Sequence, residues 1–264
     1  MRLQEAADLL GVHYQTAYAW VRDGQLPARK ISRGYEVSGA DVAALARRRQ
    51  RGREPVAQIK VRDWPAQADR LYAAIIGGEE TMARRALDRL AGHVSVTDLC
   101  DRVIAPALRR IGDDWAGGEV SIAVEHRATA ICERLLAARA SPPAGRPRGT
   151  AVVTTPPGER HGLPALMAAA CLREARWHVH HLSADLPADE IGRLAAEVGA
   201  GLVVLSTATG AGAAIADETA RAVRTAVPGA VVLVGHPGDS LEHLRQLAAN
   251  DARPPTDMTE PSEN

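Results

Sequence analysis

Between residues 149 and 250, short apolar runs alternate with helical stretches, and this alternation constrains the fold more than any other feature of the 264-residue chain. Ala151–Thr154, His178–Leu182, Leu202–Ser206 and Val231–Val234 read as strands, and Leu163–Ala175, Ala188–Val198, Ala213–Val227 and Leu241–Ala248 as helices. Strands that are apolar throughout belong in a parallel sheet covered on both faces, reached by right-handed crossovers. The expectation is a doubly wound, flavodoxin-like (Rossmann-type) α/β domain. Ligands of such sheets bind at the carboxyl ends of the strands. There the turn Thr154-Thr155-Pro156-Pro157-Gly158 leads into Glu159-Arg160-His161. A neutral imidazole can ligate a transition metal, and an acceptor on its other nitrogen would fix its tautomer and orientation.

Charge divides the chain unevenly, although the formal net charge is zero. Residues 1–62 hold 12 Lys+Arg against 6 Asp+Glu, and the remainder is acidic to the same extent. A basic first domain on an acidic body points to nucleic acid at one end and a different ligand at the other. Cys100, Cys132 and Cys171 are isolated in predicted helices, as expected of buried thiols in a reducing cytosol. With neither a signal-peptide pattern nor an apolar run of spanning length, a cytoplasmic protein without membrane contact is expected. Gly52–Pro55 and the Pro/Gly/Arg stretch 141–149 read as linkers. They separate domains at 1–54, 63–140 and 149–250 from a polar, Pro-containing segment, 251–264, expected to be a disordered tail.

In the first segment Leu3, Ala6, Ala7 and Leu10 recur at helical spacing, and Gly11-Val12 starts a turn. A second helix, Tyr14 to Arg22, would turn Ala17, Val21 and Trp20 inward. Gln15, Thr16, Tyr18 and Arg22 would then face outward, as a recognition helix requires. Leu26 to Val37 reads as a wing hairpin whose Arg29, Lys30 and Arg33 would reach DNA phosphates, and Asp41 to Arg49 as a third helix. The pattern A-A-D-L-L-G-V … A-Y-A-W-V-R-D-G-Q-L-P resembles excisionase-type and MerR-type winged helix-turn-helix domains. One such domain reads few base pairs, so useful operator affinity requires two or more copies in one assembly.

Residues 63–140 pattern as a four-helix bundle: Pro65–Ile76, Thr81–Leu90, Val96–Trp115 and Ser121–Arg139. Leu99, Val103, Leu108 and Ile111 would form one apolar stripe, and Ile122, Ala123, Ala130, Ile131 and Leu135 another. Trp115 is followed after nine residues by Glu125-His126. Downstream, 41 residues separate Pro164 from Ser206-Thr207-Ala208, and 26 separate Ala208 from Gly235-His236.

These three strand-end loops resemble the cobalamin signature E-x-H-x-x-G … S-x-L … G-G. Their order after W-x9-E-H and a DNA-binding domain resembles the CarH/LitR-type light-sensing transcriptional repressors. The resemblance implies adenosylcobalamin as chromophore, with His161 as lower axial ligand to cobalt. Glu159, Ser206, Thr207, Gly235 and His236 would line the cofactor site, while Trp115, Glu125 and His126 cap its upper, adenosyl face. It further implies operator DNA as partner and a homo-oligomer (dimer or tetramer); with no catalytic nucleophile or acid/base pair evident in the sequence, no enzymatic turnover is expected. The alternatives are a light-independent cobalamin-sensing regulator and a corrinoid carrier in methyl transfer. Four residues depart from the pattern. Pro164 stands for glycine beside the nucleotide-tail path, Ala208 for the leucine of S-x-L, and His236 for the second glycine. Ala116 occupies the place where the best-known light-responsive members carry a histidine that captures cobalt after photolysis, and alanine cannot ligate.

Overall fold

The computed structural model describes residues 1–10, 12, 14–31, 34–51, 63–139 and 146–250. Gly11, Arg33, the linker residues 52–55 and 141–145, and the terminal segment 251–264, on which expectations above fall, lie outside the described residues. The chain forms two compact units, residues 1–60 and 61–264.

In the first unit α1 (Leu3–Leu9), α2 (Tyr14–Arg22), β1 (Ala28–Ile31), β2 (Gly34–Val37) and α3 (Gly39–Arg51) follow in order. β1 and β2 form an antiparallel hairpin, with Arg29 opposite Glu36 and Lys30 opposite Tyr35. Leu3, Ala6, Ala7, Ala17, Leu26 and Val37 are its buried centre, in line with the 3.6-residue spacing of the two helices. Gly24 takes φ +72°, the left-handed conformation that lets the chain leave α2 and turn Leu26 back into the core. Leu26 is therefore a core residue that precedes the hairpin.

The second unit begins with α4 (Trp64–Ile76), α5 (Glu80–Asp88), α6 (Val96–Leu99), a π-helical turn (Cys100–Ile104), α7 (Ala105–Ala116) and α8 (Ile122–Ala137). The helix expected over 96–115 is thus one helical run with a wide turn inside it. Pro106 has no N–H to donate, and the Ala105 N–H reaches back five residues to the Cys100 carbonyl. The second stripe also differs from expectation. Ile131 and Leu135 are buried, joined by Ala128, Cys132 and Leu136, but Ile122 is 58% exposed and Ala123 is exposed. Ser121 caps α8 through the Val124 N–H, so Ile122 and Ala123 occupy a first turn that projects beyond the core. The Tyr72 hydroxyl donates to Asp114 at 2.5 Å and the Arg110 guanidinium lies 3.8 Å from the Tyr72 ring centre, fixing α7 on α4.

The α/β part contains β3 (Thr150–Thr154), α9 (Gly162–Glu174), β4 (His178–His181), α10 (Ala188–Glu197), β5 (Leu202–Ser206), α11 (Gly210–Ala226), β6 (Val231–Gly235) and α12 (Leu241–Asn250). All four strands are parallel, in the order β4-β3-β5-β6. α9 and α12 cover one face and α10 and α11 the other. The chain leaves β3 toward β4 and returns to β5 on its other side, so the strand order reverses at β3/β5, where a ligand crevice is expected.

α9 is apolar all round because it is buried on two sides. Ala165, Ala168, Ala169 and Leu172 pack on the sheet, while Leu163, Met167 and Ala170 enter the core of the helical part. Two reciprocal caps close the same seam. Glu174, at the end of α9, accepts the N–H groups of Val96 (2.7 Å) and Thr97 (3.3 Å) at the start of α6. Asp101, in the π turn, accepts those of Leu241 (2.9 Å) and Glu242 (3.1 Å) at the start of α12. Each carboxylate satisfies orphan donors and complements the positive end of the partner helix. The three cysteines are free and buried, as expected, and no helix of the described residues is long and apolar enough to cross a membrane.

Candidate cofactor and DNA-binding sites

The loop from β3 to α9 carries Glu159 and His161 to the crevice. Thr155 starts it, donating its hydroxyl to the Glu159 carbonyl at 2.5 Å and accepting the Asp185 N–H at 2.8 Å. The Asp185 carboxylate in turn accepts the Gly158 N–H at 2.8 Å, so the loop is stitched to the segment after β4.

Glu159 is 2% exposed. Its Oε2 accepts from the Ala208 N–H (3.0 Å), the Thr209 N–H (3.2 Å) and the Thr209 hydroxyl (3.1 Å). Its Oε1 accepts the His161 N–H at 3.0 Å and lies 2.5 Å from His161 Nδ1. Burial raises the carboxyl pKa, but the backbone N–H groups of His161 and Ala208 and then the His161 ring outweigh it and hold the group at about 2. At neutral pH Glu159 is therefore ionised and accepts only. Nδ1 must carry the proton, which leaves the Nε2 lone pair of a side chain that is 61% exposed free for a metal. Gly212 makes room for this arrangement, since a Cβ there would meet Glu159 Oε2 at 3.0 Å.

Beyond the ends of β5 and β6 lies a cleft of about 490 Å³ whose lining includes Ser206, Thr207, Gly235, His236 and Pro164. Ser206 and Gly235 are paired in register, and the Thr207 N–H and hydroxyl both donate to the Gly235 carbonyl, at 2.9 and 3.0 Å. The structure therefore brings the second and third strand-end motifs into one cleft, with the departing Pro164 and Ala208 in its wall. Much of the remaining lining, among it Met167, Leu233, Leu244 and Leu247, is apolar. Ala208, in the wall of this cleft, donates to Glu159, and a cleft of this size can take a group of drug-like dimensions such as a nucleotide.

Trp115 is 50% exposed at the end of α7. Glu125 and His126 lie in the first turns of α8, where His126 Nδ1 is 2.7 Å from Glu125 Oε2 and the Thr129 hydroxyl donates to Oε1 at 3.1 Å. Among the described residues no hydrogen bond joins this group to the Glu159–His161 loop. The residues that sequence reasoning missed are Thr155, Thr209 and Asp101. Thr209 had a local signal, a threonine at the N-cap of α11. Asp101 had none, because its partners are 140 and 141 residues away.

In the first unit Gln15, Thr16, Tyr18 and Arg22 are exposed along α2, and Arg29 and Lys30 on β1. Tyr18 sits between Tyr14 (ring centres 6.4 Å apart, stacked) and Tyr35 (5.7 Å, tilted), which ties α2 to the hairpin. Arg22 pairs with Asp23 at 3.1 Å and Arg29 with Glu36 at 2.7 Å. Both pairs are exposed and screened by solvent, so either arginine can exchange its partner for a phosphate.

Three family models match the chain in succession: a helix-turn-helix domain over residues 1–50 and B12 binding domains over 67–139 and 149–252. The HTH-type transcriptional repressor CarH of Myxococcus xanthus is 28% identical over 263 residues, covering 89% of this chain and 88% of that protein. Among solved structures, the monomethylamine corrinoid protein of Methanosarcina barkeri covers 71% of this chain and 95% of its own, with TM-score 0.52 and 14% identity, a likeness of fold. The chain thus carries a helix-turn-helix domain followed by two B12 binding domains, and over most of its length it is similar to a transcriptional repressor of the CarH type.

Proposed function

We propose that the protein is a light-responsive repressor in which adenosylcobalamin controls oligomerisation and operator binding. The observation that carries the cofactor half is the Glu159–His161 pair, an imidazole held in the tautomer that offers Nε2 to cobalt. His161 would ligate from below, and Ser206, Thr207, Gly235 and His236 would hold the tail in the cleft. Trp115, Glu125 and His126 would close the upper face, with the half-exposed indole shielding it from water. Bound adenosylcobalamin supplies a cobalt–carbon bond that visible light breaks. The upper group can bias the protein only through contacts made in one arrangement and not the other, and Trp115 and Glu125 would make such contacts only while that group is present.

Gln15, Thr16, Tyr18, Arg22, Arg29, Lys30 and Arg33 would form the DNA face of a winged helix-turn-helix, repeated in a dimer or tetramer acting on cytoplasmic DNA. The full-length likeness to a repressor supports that half. The test is operator retardation by protein loaded with adenosylcobalamin in the dark and after illumination. Binding in the dark that light abolishes is expected, and binding that ignores both cofactor and light refutes the proposal.

A second reading, a light-independent cobalamin sensor, is favoured by Ala116, which ends α7 directly after Trp115 and cannot capture cobalt. Under that reading adenosylcobalamin and hydroxocobalamin support operator binding equally.

A further inference from the structure

The cleft beyond β5 and β6 is walled on one side by the helical part of the unit, through Asp101, Ala105, Leu108 and Arg109. Three formally charged side chains border it: Asp101, Asp239 and Arg109. Both carboxylates are committed to backbone donors, Asp101 to the N–H groups of Leu241 and Glu242 and Asp239 to that of His236 at 2.8 Å. Arg109 is exposed and, among the described residues, has no hydrogen bond or ion pair. The cleft therefore combines apolar walls with one uncommitted cation.

On the cofactor reading above, which this inference rests on and deepens, the ligand entering the cleft is a flat base joined to the corrin through an anionic phosphodiester. We propose that Arg109 binds this phosphodiester, so that the helical part holds the lower half of the cofactor as well as capping the upper. Arg109 and Trp115 both belong to α7. Six residues of α-helix span about 9 Å. One rigid element would thereby contact the tail through one side chain and the upper face through another, and occupancy of the cleft would fix the helix that carries the cap.

Absorbance titration of wild type, Arg109→Gln and Arg109→Lys, each with hydroxocobalamin and with tail-less diaquocobinamide, tests this. Arg109 is exposed and unpartnered, so its replacement leaves the fold intact. The expected result is about tenfold weaker binding of hydroxocobalamin by Arg109→Gln, the loss of one charge-assisted contact. Arg109→Lys should recover part of it, and cobinamide affinity should stay within about twofold of wild type. Unchanged hydroxocobalamin affinity, or equal loss for both corrinoids, overturns the proposal. Wild type that binds neither corrinoid removes the cofactor reading itself, and this inference with it.

Discussion

His161 Nδ1 lies 2.5 Å from Oε1 of a Glu159 carboxylate that is buried and held on its other oxygen by Ala208 and Thr209. The pair joins the loop after β3 to the loop after β5, the two sides of the crevice where the strand order reverses. Orientation of the imidazole thus depends on a residue two positions upstream and on backbone about fifty residues downstream.

Two substitutions separate ligation from orientation. His161→Ala should abolish the nitrogen-ligated corrinoid spectrum. Glu159→Gln should keep it but weaken cobalamin binding by about 10–100-fold, because an amide cannot accept from both His161 and the Ala208–Thr209 donors. Spectral titration of both variants checks this, and a wild-type spectrum and affinity in His161→Ala would exclude it as the ligand.

Acid stability follows from the same pair. The Glu159 pKa is lowered in the fold from 4.5 to about 2, so its contribution is complete above the unfolded value and disappears as pH falls through the folded one. That contribution is about 3 kcal/mol. Stability measured by urea unfolding should fall between pH 4.5 and 2 more steeply in wild type than in Glu159→Gln.

The seam between the two parts of the second unit should be sensitive to its caps. Asp101→Ala uncaps α12 from a distance and should cost about 1–2 kcal/mol. Amide hydrogen exchange should accelerate at Leu241 and Glu242 first, before the strands are affected. Uniform acceleration would assign Asp101 a general packing role instead.

For DNA, removing residues 1–54 should leave cobalamin binding unchanged and eliminate operator shifts. Lys30→Ala and Arg29→Ala should weaken binding to all sequences and reduce the dependence of log K on log salt by about one each, the signature of lost phosphate contacts. An operator shift by the truncated protein would refute the domain assignment.

Much of this is legible in the sequence. Strands at Leu202–Ser206 and Val231–Gly235 are unbroken apolar runs bounded by turn residues, a pattern that has few other solutions. The Glu159-x-His161 spacing was visible because both residues sit in one short loop. What the sequence concealed lies in relations between distant segments. Glu159 binding to Thr209, and Asp101 capping α12, join positions with no local pattern to connect them. Ile122 and Ala123 were misplaced because helical period gives a face but not where the first turn stands relative to the core. The π turn at Cys100–Ile104 was hidden in a continuous periodic stretch whose one clue was Pro106.

The central claim, that adenosylcobalamin controls assembly, is tested most directly by size-exclusion chromatography of the loaded full-length protein, kept dark and then illuminated, with an absorption spectrum taken on each peak. The account predicts a larger species in the dark that carries the adenosylcobalamin spectrum, and a smaller one after light. With Ala116 in place of a histidine, the spectrum of the illuminated peak should show no second nitrogen ligand. A changed spectrum with unchanged elution would contradict the claim, leaving a corrinoid-binding protein whose assembly does not respond to light.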